Sequence, residues 1–137
     1  MKKRKIPIQI LFLISSIVSV NSAVAADHSE PLGLLEAENR LATISCIQCD
    51  LQGLILTNQN FSNANLQGAN LTGAILWGMN LTSANLTDAI LSDAYMTGVD
   101  LRKARLADAV LQGAEIFGAD LSGAQLLHAD FSDANLS

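Results

Sequence analysis

Large apolar residues recur at every fifth position from Leu51 to Leu136, without an insertion or deletion. All eighteen of these centres are Leu, Phe, Met or Ile. Two residues before the centre stands Ala in thirteen of the eighteen units. A period of five fits neither a helix, whose faces recur every three to four residues, nor a long strand, which alternates strictly. Within one unit, such as Ala69-Asn70-Leu71-Thr72-Gly73, Ala and the centre are two apart. Extended backbone then points both to the same side. The two residues after the centre are mostly Ser, Thr, Gln, Gly, Asp and Asn, which favour turns. Each unit reads as a very short extended side followed by a corner. A repeat that cannot bury its own apolar face must be covered by its neighbours, which predicts a solenoid. The Ala is small because two inward rows share a narrow interior, and a larger residue there would overpack it.

Units such as Ala64-Asn65-Leu66-Gln67-Gly68, Ala84-Asn85-Leu86-Thr87-Asp88 and Ala119-Asp120-Leu121-Ser122-Gly123 resemble the pentapeptide-repeat family, with its consensus Ala-(Asp/Asn)-Leu-X-X. The resemblance covers 89 of 137 residues, 49–137. It implies an all-β solenoid, a right-handed quadrilateral β-helix of about 4.5 coils; the hand and the four sides come from the resemblance. At ~4.8 Å per coil the rod is roughly 22 Å long.

Residues 1–25 read as a cleaved signal peptide. Lys2, Lys3, Arg4 and Lys5 form a basic start, Ile6 to Val20 is mostly apolar, and Ala23-Val24-Ala25 fits a small-residue cleavage site. Cleavage before Ala26 is favoured over cleavage before Asp27; an uncleaved anchor helix is the alternative. Residues 26–48 are expected to form a capping helix and linker. Ser29 and Pro31 suit a helix start, and Leu34, Leu35, Leu41 and Ile44 recur at helical spacing, predicting an amphipathic helix over about 32–44. Its expected role is to cover the open end of the first coil.

Removing the signal leaves four cations, Arg40, Arg102, Lys103 and Arg105, against thirteen acids, a net of −9. An acidic rod is a poor ligand for nucleic acid, whose backbone is held by clustered cations, and for an anionic membrane. Nothing after the signal could span a bilayer.

Cys46 and Cys49 are the only cysteines, in Cys46-Ile47-Gln48-Cys49. In an exported chain a structural disulfide is the favoured reading, worth roughly 2 kcal/mol for so short a loop. A thiol–disulfide redox pair is the sharper alternative, but that motif ordinarily opens a helix after a strand, whereas here it enters a β coil. Reduced, inert thiols are the third reading. Zinc needs four ligands, and His28 and His128 fall at opposite ends of the expected rod. No metal or cofactor is expected. Signal, short helix, Cys-X-X-Cys-Asp-Leu and repeats together resemble exported pentapeptide proteins of photosynthetic organisms, implying the periplasm or the thylakoid lumen.

Assigning every fourth unit to one wall aligns the outward residues. One wall carries Asn60, Asn80, Asp100 and Asp120; its inward row, Gln59, Met79, Val99 and Ala119, steps from large to small. Gln59 is expected to meet the helix lid or its own backbone. The next wall carries Asn65, Asn85, Arg105 and Gln125, with Arg102 and Lys103 nearby; Asp88 and Asp108 are the expected ion-pair partners of this basic spot. The third carries Asp50, Asn70, Ile90, Val110 and Asp130. The fourth carries Ile55, Ile75, Tyr95, Glu115 and Asn135, with Trp77 and Phe117 after its centres. Ile55, Ile75, Trp77, Ile90, Tyr95, Val110 and Phe117 are thus the candidate protein-binding residues. Contiguous apolar surface on a small rod marks an interface, although β-branched and aromatic residues also favour stacked strands on their own account. The sequence stops inside a repeat at Asn135-Leu136-Ser137; the exposed edge suggests end-to-end pairing as one route to a homodimer, with Asp130 and Asp133 opposing it.

No catalytic constellation stands out, and an enzyme is not expected. Glycines sit at corners with the period of the repeat, and neither His has a triad-like context. The favoured function is a non-catalytic exported scaffold or protein–protein interaction module with an unknown protein partner. The first alternative, implied by the family resemblance, is an acidic DNA mimic that occupies a topoisomerase. The second is a redox protein using Cys46 and Cys49.

Overall fold

The computed structural model describes residues 44–137. The expected signal peptide and all of the expected leader helix before Ile44 lie outside the described residues. Within them, each outward residue pairs in parallel with the residue twenty positions on, from Ser45↔Asn65 to Glu115↔Asn135. Twenty residues per coil and five per unit make the coil four-sided.

One backbone pattern repeats at every side. The Asn70 N–H donates to Cys49 O at 2.8 Å, and the Leu51 N–H donates back to Asn70 O at 2.8 Å. At the corner the Gly53 N–H reaches Thr72 O in the next coil at 2.9 Å, while the Leu54 N–H closes a turn onto Leu51 O at 3.2 Å. Each short side thus finds its hydrogen-bond partners in adjacent coils, which an isolated unit of five could not supply.

The corner residue, two after the centre, is left-handed throughout, from Gln48 at φ 56° to Asp133 at φ 58°. That is the third position of a turn with positive φ, which glycine adopts freely and Asn or Asp tolerate. It explains why Gly, Asn and Asp dominate there.

The Asn or Asp before the centre has its own task. All ten such residues accept the N–H of the residue after the centre, at 2.9 to 3.3 Å; Asn80 accepts from Thr82 and Asp120 from Ser122, both at 2.9 Å. This side-chain turn satisfies an N–H that the coil leaves unpaired at the corner.

The interior consists of the two inward rows. Every centre from Leu51 to Ile116 is buried, as are the alanines from Ala64 to Ala114. Among the described residues, no polar or charged residue is buried. In the coil 117–137, Leu121 and Phe131 are half-buried, and Leu126 and Leu136 are exposed. Gln59, inward in phase, is half-buried and donates from Nε2 to Thr57 O at 3.2 Å, the local backbone partner expected for it.

The pairing starts earlier than the repeat boundary placed at Cys49. Ser45 pairs with Asn65, and Ile44 O accepts the Asn65 N–H at 2.7 Å. The Cys46–Cys49 segment, expected to link a helix to the first coil, is itself a corner of that coil. Cys46 lies five residues before Leu51 and Ile44 five before Cys49, so both keep the phase of the repeat with unusual residue types. The basic spot also differs from expectation. Arg102 bonds Asp100 at 2.6 Å and approaches Asp120 at 3.8 Å, while Asp108 faces His128 at 3.3 Å. Asp88 and Asp108 turn on the next corner, a full wall away from Arg102.

Candidate interaction surface

Bridges Ile55↔Ile75, Ile75↔Tyr95 and Tyr95↔Glu115 place the first three apolar residues in one column. The next residue outward on the same wall belongs to a second column: Gly78 N–H donates to Thr97 O, Asn58 N–H to Trp77 O, and Gly98 N–H to Phe117 O. Trp77, Thr97 and Phe117 therefore follow one another coil by coil. Around the adjacent corner, Ile90 pairs with Val110. The seven candidate residues fall on two neighbouring walls; Ser92 and the corner residue Asp93 stand between Ile90 and Tyr95, and Trp77 and Phe117 lie toward the other edge of their wall.

They are accessible. Trp77 is 49% exposed and Phe117 58%. Ile55, Ile90 and Tyr95 are exposed as well, while Ile75 and Val110 are half-buried between their column neighbours. Among the described residues, nothing packs over Trp77.

These columns depart from the solution the repeat uses elsewhere. Ile, Val and Tyr at 55, 75, 90, 95 and 110 replace the Asn or Asp whose carbonyl or carboxylate caps the corner N–H. A capping hydrogen bond of this kind is worth roughly 1 kcal/mol. Apolar side chains forgo it at five places on these two neighbouring walls. β-Branched stacking returns part of the loss, but the same fold is built on the opposite walls without it.

Sequence periodicity missed two exposed apolar residues, Ile47 and Leu127. Both stand directly after a centre on the basic wall, where Gln67, Thr87 and Ala107 separate them. They form no continuous surface, and their position in the unit was the available signal.

The sulfurs of Cys46 and Cys49 are 2.07 Å apart, at bonding distance. Cys46 is wholly buried and Cys49 nearly so. The pair fills inward positions taken by a large centre and an alanine in other units.

Arg102 with Asp100 and Asp120 lies on the wall next to Trp77 and Phe117, and Asp130 ends the column of Ile90 and Val110. A side-chain hydrogen bond from Arg102 is the main cause that brings the Asp100 carboxyl down to about 2, and its charge adds to the effect. Asp120 is lowered chiefly by the Ser122 hydroxyl and Asp130 by the Ser132 hydroxyl. These carboxylates are engaged in the repeat's own turns, and Asp100 and Asp120 follow one another in one column with Arg102 between them. Among the described residues, no group of three His, Cys, Asp or Glu side chains could hold a metal ion, and no helix is long and apolar enough to cross a membrane.

Comparison with known proteins places this geometry. The chain matches the model of pentapeptide repeats, in 8 copies, over residues 44–78, 80–116 and 104–137. Among solved structures it resembles full-length QnrB1, a plasmid-mediated fluoroquinolone resistance protein, with a TM-score of 0.63 at 24% identity. That match covers 68% of this chain and 48% of QnrB1, so the chain spans about half the length of that protein. A pentapeptide repeat protein from the thylakoid lumen of Arabidopsis thaliana matches at 29% identity and a TM-score of 0.39, over 79% of this chain and 76% of that one. Another from Nostoc matches at 25% identity and a TM-score of 0.41, over 77% and 95%. No curated protein sequence matches. Pentapeptide-repeat proteins form right-handed β-helices, and the twenty-residue parallel pairing is that of such a coil. With a repeat model matched over nearly all of 44–137 and a four-sided parallel coil beneath it, the chain belongs to the pentapeptide-repeat family.

Proposed function

We propose that this chain is a non-catalytic interaction module acting outside the cytoplasm, which binds another protein through the wall of Ile55, Ile75, Trp77, Tyr95 and Phe117 together with Ile90 and Val110. The observation that carries the reading is the exposed column of Ile55, Ile75 and Tyr95 beside Trp77 and Phe117, with Ile90 and Val110 on the next wall, where the repeat otherwise places a capping Asn or Asp before the centre. A rigid coil suits the task, because every side chain on it is held by stacked neighbours above and below.

The signal-like start and the bonded cysteine pair support an exported location, in the periplasm or a thylakoid lumen. Disulfides persist in such compartments. Burial of both sulfurs argues for a structural disulfide that closes the first corner and against a redox centre, which must present a sulfur to its substrate.

Site-specific photocrosslinking tests the reading. A benzoylphenylalanine replaces Thr97, between Trp77 and Phe117, or Gln125, on the opposite wall. Adducts to a protein from the first site alone are expected in the cell of origin. No adduct from Thr97, or equal adducts from both sites, overturns it. Fractionation of the same cells tests the location, and recovery of the chain in the cytoplasm contradicts export.

A further inference from the structure

The charges on the rod are segregated around the apolar wall. Described residues carry nine acids and three cations. The three cations, Arg102, Lys103 and Arg105, cluster between the Asn/Asp wall and the basic wall, diagonally across from the edge shared by Tyr95 and Ile90. Among the described residues, the free charges around the apolar surface are acids; Arg102, beyond the edge of Trp77 and Phe117, is held by Asp100 and Asp120. Asp93 turns the corner between Ile90 and Tyr95, and Asp133 occupies the same corner two coils on. Glu115 follows Tyr95 in its column, and Asp50 and Asp130 close the two ends of the column that holds Ile90 and Val110. Asp93, Glu115 and Asp133 are all exposed.

This arrangement selects among occupants. A second copy would set one acidic border against another. The chain's own residues 26–43 carry Asp27, Glu30, Glu36 and Glu38 against Arg40 alone, so the leader has the same sign as the border. Like charges juxtaposed across an interface are costly, and opposite ones favour encounter and fix register. The geometry points to a partner segment that is both apolar and basic: hydrophobic side chains seated over Trp77, Tyr95 and Phe117, with flanking Lys or Arg facing Asp93, Glu115 and Asp133. The inference rests on the proposed interaction wall and adds the chemistry of what it takes.

Trp77, the single tryptophan of the chain, reports directly. The protein, as processed by its cell, is titrated with three short amphipathic peptides of one pattern, built from Leu and Lys, Leu and Gln, or Leu and Glu. The Leu/Lys peptide is expected to shift Trp77 emission to the blue, and to bind about tenfold more weakly at high salt or to Asp93→Asn/Glu115→Gln/Asp133→Asn. A further variant, Ile75→Asn/Tyr95→Asn, restores the repeat's own capping residue, so it keeps the coil, checked by circular dichroism, and is expected to lose the shift. Equal binding of the three peptides overturns the charge selection while leaving an apolar interface in place. No binding of the Leu/Lys peptide, or a dimer in solution that Ile75→Asn/Tyr95→Asn dissolves, overturns the basic partner. Oligolysine producing the same shift would also overturn it, because charge alone would then suffice. Failure of the wall itself is read separately, from the Thr97 crosslinks.

Discussion

Asp100 shows how a single residue serves the coil twice. One oxygen caps the Arg102 N–H, as every Asp or Asn in that position does, and the carboxylate also holds the Arg102 guanidinium. The ionised form is favoured, so its folded pKa falls from 3.8 to about 2. A depressed carboxyl stabilises the fold above its unfolded pKa, and that contribution disappears as pH falls from about 4 towards 2. NMR titration should find Asp100 near 2 in the parent and closer to 3.8 in Arg102→Ala, with the acid-sensitive part of the stability reduced in the variant. Asp100 is half-buried and Arg102 exposed, so solvent screens the pair and the effect on overall stability is small. Corner residues set a second constraint. Gly118 sits at φ 67° with nothing near the position a Cβ would take. Gly118→Ala should therefore cost only the left-handed backbone penalty, about 1 kcal/mol, and Gly118→Asn less, by denaturant unfolding. Equal losses for the two would mean that the corner's φ is not the constraint.

At the scale of the coil, the inward rows account for cohesion. Leu91 is wholly buried with a coil on each side, whereas Leu136 is 58% exposed. Leu91→Ala should destabilise by about 2–5 kcal/mol and Leu136→Ala by well under half as much, measured in one denaturant series. Ala94 fills the companion row at zero exposure, and Ala94→Leu should also destabilise, by about 1–3 kcal/mol, through overpacking. The five-residue phase and both inward rows were legible in the sequence because each side chain repeats one environment eighteen times. The start of the coil was not. Cys46 and Ile44 keep the phase, but Cys at a centre and Ile in the alanine row do not look like the repeat, and only the pairing of Ser45 with Asn65 shows that they belong to it. The ion pairs were misplaced for a related reason. Proximity of one coil in sequence register does not say on which corner a side chain turns, and Arg102 found the acids of its own wall.

For the whole molecule, the proposed wall sets stability against binding. Ile75→Asn and Tyr95→Asn restore a capping hydrogen bond each, so they should leave the melting temperature unchanged or raise it while removing binding. A clear loss of stability in both would mean that the apolar columns exist to hold the coil together, and the interface reading would fall. The candidate residues themselves were legible from register, since a strict twenty-residue coil converts sequence spacing directly into columns. Their exposure was not legible, because register gives a column and not what lies over it; among the described residues Trp77 is 49% exposed.

The sequence by itself determined the repeat, its inward rows, the turn-forming corners and the alignment of residues into columns. Each follows from local chemistry multiplied along the chain: a small and a large apolar residue two apart, then a corner that accepts positive φ. Only the tertiary structure decided which N–H groups the Asn and Asp residues cap, where the first coil begins, and which acids Arg102 bonds. It also set the three cations diagonally across the rod from an apolar edge bordered by acids. The caps and the Arg102–Asp100 pair join residues only two apart and depend on how the corner turns each side chain, while the start of the coil, the approach to Asp120 and the segregation of charge depend on residues twenty positions apart that only the closed coil brings within reach.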